Sequence, residues 1–182
     1  LVDKHQYWLG VLLVEYLVGT GGWSYSNVEN KPSLNAYSEV FNFVEVNYTF
    51  YEYPNPAYVQ RWRSIVPANF VFSIRCHQDL THKIGLKPVE AAFEVFYKMK
   101  AYCDILESPY LVLETPASYV LDDKGISAAR DFFASASLNG LRLVWEYRAP
   151  FNMEGVKLMA DFNIIQSIDL SRETPALASD VV

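Results

Sequence analysis

The sequence predicts an α/β protein of the (β/α)8, TIM-barrel type, and three observations carry that expectation. Short apolar stretches alternate with segments of helical period. Each apolar stretch reads as a buried strand, as parallel βα units require. Each also ends in polar residues, and parallel barrels collect their sites at the C-terminal strand ends, whereas a doubly wound open sheet, the other architecture that fits, gathers fewer strand ends at one crevice. A complete barrel takes about 250 residues. At 182 residues the chain is therefore expected to form one domain over 1–182 that lacks the last one or two βα units, with 1–15 as a leading segment of no assigned place.

Residues 10–18 are apolar but interrupted by Glu15 and read as a strand that runs into Gly19, Gly21 and Gly22 and then Trp23 and Tyr25. The glycines permit close backbone approach, and their spacing is not that of a dinucleotide-binding loop. Leu34, Tyr37, Val40 and Phe41 lie at helical spacing. Residues 44–54 form the central motif: Val44 and Val46 alternate with Glu45 and Asn47, which places the two polar side chains on one face, and an aromatic run then leads to Pro54, where a strand can no longer donate. Asn55 and Pro56 start a helix whose buried face is read as Tyr58, Val59, Trp62 and Ile65. A strand over 70–76 puts Val71, Ser73 and Arg75 on one face, with residues 80–82 in the loop beyond. Lys87 and Pro88 open the longest helix, with Val89, Ala92, Phe93, Phe96, Met99, Cys103 and Leu106 as its apolar stripe. Three further strands follow, over 110–116, 141–148 and 164–169, separated by helices near 126–136 and 153–162; they end at Glu114, at Glu146 with Arg148, and at Asp169.

The composition bounds the function. A hydrophobic content of 51%, a net charge of −6 and a pI near 5.0 describe a globular chain without the clustered cations that hold a phosphate backbone, so a nucleic-acid partner is disfavoured while a local basic pocket is still open. Two distant cysteines outside any CxxC pattern favour a reducing, cytoplasmic setting over a disulfide framework or zinc knuckle. The apolar stretch at 10–18 is far shorter than the roughly 20 residues of a membrane helix, and no membrane partner is expected. The oligomeric state is not legible.

The motifs in order are similar to those of the DUF72 (YecE-like) family of TIM-barrel proteins: GTGGWSY at 19–25, VEVNYTFYEYP at 44–54, W-x4-P-x2-F-x-F at 62–72, LTH at 80–82, ETP at 114–116, WEYR at 145–148, and Asp169. The chain departs from the family pattern in lacking a second Trp after Tyr25, in carrying Arg75 where Lys is usual, and in the continuation beyond Arg148. The family's next strand, resembling YxRxHG, is not found. The resemblance implies a barrel and a shared site at its mouth, and it supplies no reaction.

With inner-face parity, the mouth is expected to hold Glu45, Asn47, Arg75, Glu114, Glu146, Arg148 and Asp169, with Trp23, Tyr25, Tyr51 and His82 on the rim. Four acids then face two arginines, and surplus buried negative charge calls for a proton, a cation or water. Glu45, Glu146 and Asp169 are the catalytic candidates and the others the substrate-binding ones. Paired carboxylates suit acid/base work on a small polar, sugar-like or phosphorylated ligand by a hydrolase or isomerase. A divalent metal held by Glu45, Glu146, Asp169 and His82 is a further version. The alternatives are a non-catalytic small-ligand or nucleic-acid-binding module, or arginine–carboxylate pairs that only brace the barrel. Trp62 is assigned to the core.

Overall fold

The computed structural model describes residues 15–24, 33–150, 152–177 and 179. Six strands, β1 (Gly19–Gly21), β2 (Phe43–Val46), β3 (Val71–Arg75), β4 (Tyr110–Thr115), β5 (Arg142–Tyr147) and β6 (Ile165–Ser167), form one sheet in the order β1-β2-β3-β4-β5-β6, every pair parallel. Each strand thus pairs with its successor in the chain through a helical crossover. The sheet curls: Leu17 ahead of β1, Ser73, Val112, Val144 and Ile168 beyond β6 all line a single hollow. The architecture is a six-stranded, partial TIM-like barrel.

The outer face of the sheet is apolar. Val44, Val46, Phe72, Ile74, Leu111, Leu113, Leu143 and Trp145 are buried there, under helices α3 (Pro56–Ser64), α4 (Glu90–Leu106), α5 (Asp123–Ser135) and α6 (Met153–Asp161). Asn55, Asp122 and Asn152 cap α3, α5 and α6 by accepting from Ala57 N, Gly125 N and Gly155 N, which satisfies donors the first turn leaves open. The short helix α1 (Leu34–Ser38) buries Tyr37, whose hydroxyl donates to Phe43 O at 3.0 Å and accepts from Thr20 N at 2.7 Å. Tyr37 thereby ties β1 to β2. Gly19 lies so close to β2 that a Cβ there would sit 1.9 Å from Phe43 O.

Several sequence expectations change. The strand expected over 44–54 ends at Val46. Asn47 turns into right-handed helical geometry, and residues Tyr48–Tyr51 form a helical turn, α2. Thr49 fixes that turn, its hydroxyl lying 2.7 Å from Val46 O and 2.8 Å from Arg75 O. Residues 80–82 are not loop but part of a π-helical turn, Asp79–Ile84. The longest helix begins at Glu90, and Val89 is exposed rather than core. Residues 15–18 are irregular, and residues 1–14, including most of the strand expected at 10–18, lie outside the described residues. Among the described residues no helix is long and apolar enough to cross a membrane.

Candidate functional site

Alternation brings charge to the inner face at the strand ends. Glu45, Glu114 and Glu146 are the penultimate residues of β2, β4 and β5, Arg75 ends β3, and Arg148 follows β5. The ladder sets Glu114 beside Glu146. Arg75 Nη2 contacts a carboxylate oxygen of Glu114 and lies 2.9 Å from Glu146 Oε2. Arg148 reaches the other oxygens of the same two acids, Glu114 Oε1 at 2.6 Å and Glu146 Oε1 at 2.7 Å. Two guanidinium groups therefore bracket two carboxylates. Charge-assisted contacts of this kind fix geometry as well as energy.

Glu45 is the third carboxyl and stands apart. Its Oε1 is 3.4 Å from Arg75 Nε, and that Nε has no hydrogen-bond partner. Burial pushes the Glu45 carboxyl above its usual range; Arg75 pulls the other way, and Glu146 and Glu114 add to the rise. Ser73, beside Glu45 in the ladder, is also buried without a partner for its hydroxyl. His82 stands over the rim, its ring 5.0 Å from Phe50, and Phe50 in turn lies under the Arg75 guanidinium at 5.8 Å. Desolvation holds His82 below the usual histidine range, against the pull of Glu114. Cys76, next after Arg75, is fully buried, and burial raises its thiol, which leaves no thiolate nucleophile there.

A second group of residues lines a pocket beside the first. The C-terminal end of β1 supplies Gly21, Gly22, Trp23 and Ser24; Asn47 and α2 supply Tyr48 and Tyr51; α3 supplies Trp62. The Trp62 ring meets Trp23 at 5.4 Å and 72°, and Tyr48 at 6.4 Å and 86°. Asn47 packs on Gly21, where a Cβ would come within 2.5 Å of its Nδ2, and its Oδ1 is buried without a partner. Tyr48 and Trp62, which line this pocket, are not among the candidate residues read from the sequence. Helical spacing assigned Trp62 to the core, and it is partly buried and packed against the core cluster, though Val59 alone among the expected α3 face is fully buried. The available signal was the position of Trp62 at the head of the W-x4-P motif.

Of the residues expected at the mouth, Glu45, Arg75, Glu114, Glu146 and Arg148 come together, while Trp23 and Tyr51 join Asn47 in the aromatic pocket. Asn47 leaves the inner face because the strand has already ended. Asp169 does not join the cluster. It lies beyond β6 on an exposed turn, where its Oδ1 accepts from Ser171 N and Ser171 Oγ and its Oδ2 pairs with Arg172 at 3.2 Å. Tyr25 lies outside the described residues. The metal set of Glu45, Glu146, Asp169 and His82 is not assembled either: among the described residues no group of three or more His, Cys, Asp or Glu side chains is placed to hold a metal ion.

Comparison with known proteins adds a family. Residues 17–167 match the family model described as "Protein of unknown function DUF72". A DUF72 family protein of Thermotoga maritima MSB8 has a solved structure that is similar with a TM-score of 0.66 at 22% identity, over 82% of this chain and 63% of that one. A DUF72 family protein of Enterococcus faecalis V583 is similar in two crystal structures, with TM-scores of 0.62 and 0.61 at 15% and 16% identity, over 81% and 84% of this chain and 57% and 62% of those. At such identities the likeness concerns the fold. The chain spans less than two thirds of the length of these relatives. No curated protein matches it.

Proposed function

The chain belongs to the DUF72 family of proteins of unknown function, and from that premise we propose that the strand-end cluster binds a small polar ligand and performs acid/base chemistry on it, as a hydrolase or an isomerase. One observation carries the reading: three carboxyl groups share two guanidinium groups, and Glu45 is the one left without a hydrogen bond from either. Burial makes Glu45 hold its proton more tightly than a free glutamate does, while Glu146 is paired with both Arg75 and Arg148. The pair is thus arranged as acid and base. Glu45 gives its proton to a ligand oxygen as a bond to that oxygen breaks or a carbonyl enolises, and Glu146 accepts a proton from water or from carbon. Arg75 and Arg148 offset the charge that develops. In the whole protein, the same strand ends would form the mouth of a closed (β/α)8 barrel.

The test reads rate and stability together. Chromogenic glycosides and sugar phosphates are screened for turnover by the full-length protein, and Glu146→Gln is then compared with the parent. Loss of a proton-transfer group lowers the rate by about 10²–10⁴-fold with the thermal midpoint unchanged. A collapsed midpoint with normal turnover in the folded fraction would make the cluster a brace, since breaking a structural buried pair costs about 3–5 kcal/mol of stability.

A further inference from the structure

We propose that the pocket between the end of β1 and α3 is a saccharide subsite, in which the C–H face of a neutral sugar ring lies on the Trp62–Trp23 wall. The inference deepens the preceding reading by naming the substrate class, and rests on it only for the supposition that this sugar is what the carboxyl cluster acts upon.

Three features favour a sugar. First, the wall is aromatic and its rings are not stacked on one another. Trp62 meets Trp23 and Tyr48 edge to face, and in such a pair the ring contributing its edge keeps both faces uncovered by its partner. Ring faces with a negative quadrupole attract the polarised C–H bonds on the apolar side of a pyranose. Second, the polar groups among these rings are neutral and of both kinds. The Tyr48 and Tyr51 phenols and the Ser24 hydroxyl both donate and accept, the Asn47 amide supplies donors, and among the described residues no charged side chain lines the pocket. A ring bordered by hydroxyl groups needs such a mixture; a phosphate or carboxylate would find no cation among the described lining residues. Third, the pocket, of about 370 Å³, is of the size that small-ligand sites take.

The pocket also communicates with the cluster. Tyr51 and Phe50 meet edge to face at 4.9 Å, and the Arg75 guanidinium lies over the Phe50 ring at 5.8 Å. The α2 turn thus presents Tyr48 and Tyr51 to the pocket and Phe50 to the charged groups. A sugar held on Trp62 directs its substituents along that turn.

Saturation-transfer NMR of the full-length protein with methyl glucosides, maltose and cellobiose is the direct test, with tryptophan fluorescence giving the affinity. Saturation is expected on the ring C–H protons of at least one sugar. Trp62→Ala is expected to weaken that sugar about tenfold or more, equivalent to 1.4 kcal/mol, with Trp62→Phe retaining most of the affinity. Because Trp62 is half-buried, Tyr51→Ala provides a second variant at an exposed position, and it too is expected to weaken binding. Absence of saturable binding by every sugar, binding indifferent to both truncations, or tighter binding of adenosine or uridine than of any sugar overturns the subsite. The two proposals fail separately: a sugar bound at Trp62 without turnover removes the acid/base reading alone, and turnover of a ligand that ignores Trp62 removes the subsite alone.

Discussion

Glu45 shows what a single residue can report. Its carboxyl is raised above 4.5 by burial, with Arg75 opposing and Glu146 and Glu114 reinforcing. A raised folded-state value means that the folded protein holds this proton more tightly than the unfolded chain does. The associated stability is complete below 4.5 and is lost as pH rises through the folded value. Glu45→Gln is neutral at every pH and escapes that loss. Its melting temperature relative to the parent is therefore expected to climb from about pH 4.5 upward and then level off; a flat difference would show that Glu45 titrates normally, and one that falls with pH would show that its proton is held less tightly in the folded protein. The same residue shows how far alternation reaches. Period-2 parity places Glu45, Arg75, Glu114 and Glu146 on one face however the strand ends fray. It misplaces Asn47 and Asp169 because parity holds only while the backbone stays extended, and both residues lie past the last paired position of their strands.

Among the elements, α2 and β1 were the hardest to read from sequence. Tyr48, Phe50, Tyr51 and Tyr53 fit a strand by composition, and Thr49 holds them in a turn through a local contact to Val46 O and a tertiary one to Arg75 O, the second of which no local pattern announces. The longer helices were legible because an apolar stripe of several turns outweighs any one exception, such as the exposed Val89. For β1 the close approach of Gly19 to β2 yields a prediction. In Gly19→Ala the new methyl group would collide with Phe43 O and crowd the Tyr37 hydroxyl, so β1 must separate from β2. The expected loss is about 1–3 kcal/mol, visible in denaturant titration, together with a change in the fluorescence of Trp23. A variant as stable as the parent with unaltered fluorescence would show that β1 can shift without consequence.

At the scale of the whole molecule, sequential strand order leaves β1 and β6 at the two margins of the sheet, each three residues long. Short margins offer little for another chain to pair with. The ladders are unequal: β4 and β5 pair along their entire length, from Tyr110 with Arg142 to Thr115 with Tyr147, whereas β1 meets β2 only from Gly19 with Phe43 to Gly21 with Glu45. Native-state hydrogen exchange is expected to follow that gradient, with β4 and β5 amides released only by global unfolding and β1 amides released through partial opening at lower free energy. Uniform protection across the sheet would contradict it. The inequality has a consequence for the two halves of the site. The arginine–carboxylate cluster hangs mainly on the strands with the longest ladder, while the aromatic pocket hangs partly on a three-residue margin. On that expectation the mouth opens first where β1 meets β2, and any ligand that settles on Trp62 and Trp23 is first noticed as a slowing of amide exchange in β1.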